Sequence, residues 1–196
     1  MRNLKIIALL LLPLLGCFAQ IEDQSVALSH NLCGGTTNCM PGSLPFGGGP
    51  IQITGQNTFT MNFGDQPLLQ PSSSLGPATL NTSLIVGGAG VRLQNSASGN
   101  FLNVQKISIL AAPTATTDCS ATGSNCTLLA DYDQTRDGPA DQSIVLKGHN
   151  VDLISYISTT SHSVQLQFQA TGTGPGSAWN ADVSMDMALK ARANFP

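Results

Sequence analysis

Beyond residue 50 the chain alternates apolar and polar positions with a period of two. Phe59, Met61 and Phe63 alternate with Thr58, Thr60 and Asn62, and Val164, Leu166, Phe168 and Ala170 alternate with Gln165, Gln167 and Gln169. The longest run sets Val183, Met185, Met187, Leu189, Ala191, Ala193 and Phe195 against Asp182, Ser184, Asp186, Lys190, Arg192 and Asn194. Successive side chains of a strand point to opposite faces, so each run predicts a strand with one buried and one wet face, as an antiparallel sheet requires. Shorter candidates are Ile51–Thr54, Thr79–Val86, Val91–Gln94, Leu102–Leu110, Thr127–Tyr132, Ser143–Lys147 and Val151–Ser158. Gly87, Gly88, Ala89 and Gly90 read as a tight turn between two of these. No amphipathic helix is predicted. Many short strands separated by Gly, Pro and Asn loops predict an all-β fold, an antiparallel β-sandwich over residues 51–196, with a jelly roll or small β-barrel as the alternative.

The start of the chain differs in kind. Arg2 and Lys5 precede a run from Ile6 to Leu15 broken only by Pro13, followed by Gly16, Cys17 and Ala19. This is the charged, then apolar, then small-residue order of a secretory signal, too short to span a bilayer. Leu14, Leu15, Gly16 and Cys17 resemble the lipobox of bacterial lipoproteins, with Leu15 where a small residue is usual. The resemblance implies cleavage before Cys17 and acylation of that cysteine, hence a membrane partner reached through a lipid anchor and residence in the outer membrane facing the periplasm or the cell surface. Cleavage after Ala19 would instead release a secreted protein. Residues 1–19 are thus the signal, and the Gly- and Pro-rich residues 20–50 read as a tether or an N-terminal loop.

Cysteine parity fits export. Setting Cys17 aside leaves Cys33, Cys39, Cys119 and Cys126, an even number for an oxidising compartment. The local pairing, Cys33 with Cys39 and Cys119 with Cys126, is favoured because each pair brackets a short polar stretch able to turn back.

Without Arg2 and Lys5 the basic residues fall from eight to six against eleven acidic ones. Nucleic acid is therefore not a partner that the charge supports. Only 10% of residues are charged, so Ser, Thr, Asn, Gln and Gly must form the surface.

Candidate chemistry is sparse. Asp133, Thr135, Asp137, Gly138 and Asp141 follow the spacing D-x-T-x-D-G-x-x-D, which resembles the opening of an EF-hand-type calcium loop, with Asp131 as an additional ligand. The pattern departs from that family at Ile144, where a bidentate Glu belongs, and the competing reading is an Asp- and Gly-rich turn. Calcium is the only cofactor the sequence suggests. Glycoside hydrolysis needs two facing carboxylates, yet the only glutamate is Glu22, and Asp182 and Asp186 lie about 13 Å apart on one strand. Trp179, Tyr132 and Tyr156 are few for sugar stacking. His30, His149 and His162 accompany no G-x-S-x-G elbow or H-E-x-x-H motif. The balance falls against an enzyme and toward an envelope lipoprotein that serves as a structural or interaction module with a protein partner. The alternative is a secreted ligand-binding module, calcium-dependent or hydrolytic, with its site in loops such as 132–142.

Overall fold

The computed structural model describes residues 18–34, 44–46, 50–52, 58–62, 74–75, 78–95, 99–114, 117–119, 121, 123–158, 160–161, 163–175 and 179–194; stretches up to residue 80 and beyond 192 are described by backbone pairing alone. Their strands are β1 (Phe18–Gly34), β2 (Leu44–Phe46), β3 (Pro50–Gln52), β4 (Thr58–Asn62), β5 (Ser74–Leu75), β6 (Ala78–Leu93), β7 (Val104–Ala112), β8 (Thr127–Asp133), β9 (Ser143–Gly148), β10 (Ser163–Thr173) and β11 (Trp179–Asn194). One helical turn, Gln134–Asp137, and one 3-10 turn, Leu153–Tyr156, are the helical content among the described residues.

The predicted all-β, antiparallel class is what these residues form. All strands belong to one sheet in the order β2-β1-β11-β6-β9-β8-β7-β10-β3, with β4 also on β10 and β5 on β6. The six strands from β11 to β10 curl into a half-barrel. The sheet is continuous because β6 and β8 both pair with β9, so no break divides it into two separately bonded layers.

Period two explains what holds it. Leu84, Val86 and Val91 of β6, Ile107 and Ile109 of β7, Ile144 and Leu146 of β9, Leu166 and Phe168 of β10, and Val183, Met185 and Met187 of β11 are all buried. They form one cluster on the inner face, while Lys106, Asp131, Lys147, Asp186 and Lys190 stand on the outer face. Apolar inside and polar outside is the reverse of a membrane-spanning barrel.

Three stretches depart from the sequence expectation. The glycines at 87, 88 and 90 lie inside β6. The register with β11 slips between Asp186 and Met187, leaving Gly87 as the bulged residue. A Cβ on Gly148 of β9 would collide with the Gly87 carbonyl, so the two backbones approach closely only because residue 148 lacks a side chain, whereas a Cβ on Gly87 would meet nothing nearer than the Asp186 carbonyl oxygen at 3.7 Å. Val151–Ser158 is not a strand: the Asp152 carboxylate accepts from the Ile154 N–H at 3.0 Å and starts the 3-10 turn, and also takes the Leu84 N–H at 2.8 Å. Part of the 20–50 stretch is paired, since β1 runs along β11 with Val26, Leu28 and Leu32 opposite Met187, Met185 and Ala181. Its register slips between Ile21 and Gln24, around Glu22 and Asp23.

Candidate functional site

Lys106, Asp131, Asp133, Arg136 and Asp137 gather where β8 ends. Asp133 caps the helical turn: its Oδ1 accepts from the Thr135 N–H at 2.9 Å and from the Thr135 hydroxyl at 2.6 Å. Gly138, at φ 82°, ends the turn, and the buried Tyr132 hydroxyl donates to its carbonyl at 2.7 Å. Burial pushes the Tyr132 phenol up from its ordinary value.

The turn brings Arg136 back over the strand. Its Nη1 lies 2.9 Å from Asp131 Oδ2, while Nε and Nη2 reach the two oxygens of Asp137 at 2.8 and 2.6 Å. The planar guanidinium therefore grips Asp137 in bidentate fashion and Asp131 through one edge. The hydrogen bonds it donates to Asp137 and then to Asp131 raise the Arg136 pKa further above its already high value. Arg136, joined by the Asp133 N–H, lowers the Asp137 carboxyl to about 2. The Thr135 hydroxyl, and Lys106 at 3.1 Å, lower Asp133 to about 2 as well.

A second irregularity supplies His149. Beyond Gly148 the chain bulges, with Asn150 at φ 55°, before Asp152 bridges to Ile85 of β6. The His149 N–H donates to the carbonyl of Leu129, itself the bulged residue of β8 opposite β7. Its Nε2 then lies 2.7 Å from Asp131 Oδ1. Both Asp131 oxygens are engaged, one by arginine and one by histidine.

The predicted calcium ligands Asp131, Asp133, Thr135 and Asp137 do come together, but around Arg136 and Lys106. Asp141 instead accepts from Gln142 Nε2 at 3.3 Å, and Ile144, at the twelfth position of the loop, is buried in the core. Among the described residues no three His, Cys, Asp or Glu side chains converge as a metal-holding group. A cation would have to displace Arg136 to reach the carboxylates.

Nucleophilic chemistry is not assembled here either. Ser108 of β7 and Lys147 of β9 both stand opposite Asp131. Ser108 and the β9 side of the cluster are two strands apart, about 10 Å, with the acid between them. A hydrolase needs the imidazole between serine and acid.

The disulfide between Cys119 and Cys126, with Cα atoms 5.5 Å apart, matches the favoured local pairing. Its loop lies on the outer face of β10. Gln167 there is fully buried: its Oε1 accepts from the Cys119 N–H at 2.7 Å and from Gln169 Nε2 at 3.2 Å, and its Nε2 donates to the Thr117 carbonyl at 3.4 Å. Cys33 lies in β1 opposite Asn180, whereas Cys17, Cys39 and His162 lie outside the described residues. His30 lies opposite Val183. Trp179 is buried edge-on against Phe101, ring centroids 5.8 Å apart, and the Tyr156 hydroxyl pairs with that of Thr127 at 2.6 Å. Asp182 accepts from Gln94 at 2.8 Å, and Asp186 is an exposed outer-face residue.

No family model matches this chain, and neither the curated proteins nor the solved structures contain a significant match. Any functional reading rests on the molecule's own chemistry.

Nothing in the sequence marks Arg136 or Lys106 as site residues, beyond the place of Arg136 inside the acidic motif, whereas His149 is visible there as a histidine outside any motif and Gln167 as a wet-face residue of an alternating run that the structure instead buries. His149 depends on a bulge that spacing does not reveal.

Proposed function

We propose that the protein is a non-enzymatic lipoprotein of the bacterial outer membrane, facing the periplasm or the cell surface and serving as a structural or protein-interaction module. The observation that carries this reading is the closure of the outer-face charges. Asp131, Asp133 and Asp137 are committed to Arg136, His149, Lys106 and Thr135, which suits a rigid surface better than a reaction centre. The lipobox-like Leu14–Cys17 supports the anchor. Replacement of Cys17 by alanine should move the protein out of the membrane fraction of its host. Retention in the membrane without Cys17 would refute the anchor, and turnover of a substrate that is lost in Asp131→Asn would refute the non-enzymatic part.

A calcium-dependent, secreted binding module is the second reading, favoured by the gathering of three carboxylates at the end of β8. It requires a rise in melting temperature on adding calcium that is reversed by chelator. The first reading expects none.

A further inference from the structure

The chain contains one Asp-Gly pair, Asp137–Gly138, and no Asn-Gly pair. An Asp-Gly peptide is prone to rearrange, because glycine has no side chain to shield its amide nitrogen from the carboxyl of the residue before it. The rearrangement is a condensation followed by a hydrolysis. The Gly138 nitrogen bonds to Cγ of Asp137, and one carboxyl oxygen leaves as water, taking the amide proton and the carboxyl proton. Water then adds to the main-chain carbonyl carbon of the cyclic imide and breaks its bond to nitrogen, so that the chain continues through Cγ as isoaspartate.

In the structure both reacting groups are held elsewhere. The Asp137 carboxylate folds back along the turn: its Oδ2 accepts from the Asp133 N–H at 3.0 Å, while Arg136 holds Oδ1 through Nε at 2.8 Å and Oδ2 through Nη2 at 2.6 Å. The Gly138 N–H donates to the Gln134 carbonyl at 3.0 Å, and the Gly138 carbonyl is held by the Tyr132 hydroxyl at 2.7 Å. Asp137 is exposed and Gly138 half-buried, so the restraint on the pair is hydrogen bonding and not burial. We propose that Asp137–Gly138 is a latent isoaspartate-forming site, held inactive by the grip of Arg136 on the Asp137 carboxylate. The same grip lowers the carboxyl to about 2, so the protonated form, which releases its oxygen as water, is scarce at neutral pH. Each unit of that depression removes about nine-tenths of the reactive form. Conversion would add a methylene to the main chain between residues 137 and 138 and shorten the stem of the carboxylate. Arg136 would lose its bidentate partner, leaving Asp131 to hold it.

The test incubates the full-length protein for weeks in mildly acidic buffer, both native and unfolded in guanidinium chloride, beside native Arg136→Ala and Arg136→Lys. Fragmentation mass spectrometry that separates isoaspartate from aspartate reads residue 137, and circular dichroism confirms that each variant is folded. Native wild type is expected to keep its aspartate while the unfolded chain converts. Arg136→Ala should convert roughly tenfold faster than native wild type, as the carboxyl returns toward its ordinary value and is freed to turn. Arg136→Lys, which keeps a cation but cannot hold both oxygens in a fork, should fall between them. Conversion as fast in the native as in the unfolded wild type would overturn the latency. Aspartate retained at residue 137 in the unfolded chain would overturn the site. Folded Arg136→Ala converting no faster than wild type would overturn the role of Arg136, and the folded and unfolded wild type compare without any substitution.

Discussion

Along β8, Ala130 and Tyr132 turn inward and Asp131 and Asp133 turn outward, so the same residues of backbone serve two surfaces of different construction. Inside, alternation alone suffices: any apolar residue at the right parity joins the cluster, and its contribution scales with buried area. Outside, Asp131 acquires its partners only because a helical turn returns Arg136 and a bulge delivers His149. The inner face should therefore dominate stability, and the outer network should tune it.

The largest effect expected is on the inner face. Phe168→Ala, at a fully buried position on β10, should cost about 3–5 kcal/mol in denaturant unfolding, because transfer and cavity terms add. Gly148→Ala should cost about 3 kcal/mol, since its new methyl meets the Gly87 carbonyl and the strands must separate. A smaller loss from Gly148→Ala than from an exposed substitution such as Val145→Ala would show that the close approach of β6 and β9 is not real.

The same contrast explains what was legible in the sequence. Strands β10 and β11 were readable because unbroken alternation has one interpretation. The glycines of β6 resembled a turn because a bulge and a close backbone approach use the same residue type as a turn. In β1, Gln24 and His30 fall opposite Leu189 and Val183, and the slip around Glu22 and Asp23 resets the parity, so Val26, Leu28 and Leu32 did not stand out as a strand. At Asp152, capping of a 3-10 turn overrode an apolar pattern. The acidic motif was visible as a cluster, but its neutralisation by Arg136, Lys106 and His149 depends on turns and cross-strand register.

Removal of the staple by replacing Cys119 and Cys126 with serine should cost about 2 kcal/mol, less than for a long loop, and should speed hydrogen exchange at the Cys119 amide held by Gln167. Unchanged exchange there would mean that Gln167 alone holds the loop.

The smallest effect belongs to the charged network. Asp133 and Asp137 are lowered from the usual 3.8 to about 2, so the native state favours their ionised forms. Their contribution is fully present above pH 4 and is lost as the pH falls through about 2, the sign expected for depressed carboxyls. Arg136→Ala should return Asp137 toward its ordinary value in an NMR titration while barely moving the midpoint of unfolding at pH 7, as exposed ion pairs do. A large loss at neutral pH would show that the outer network carries the fold after all.

The anchored-module account is tested most directly by the intact mass of the mature protein recovered from the membrane and medium fractions of its host. It predicts a chain beginning at Cys17, carrying acyl chains and found with the membrane. An unmodified chain beginning at Gln20 in the medium would contradict it.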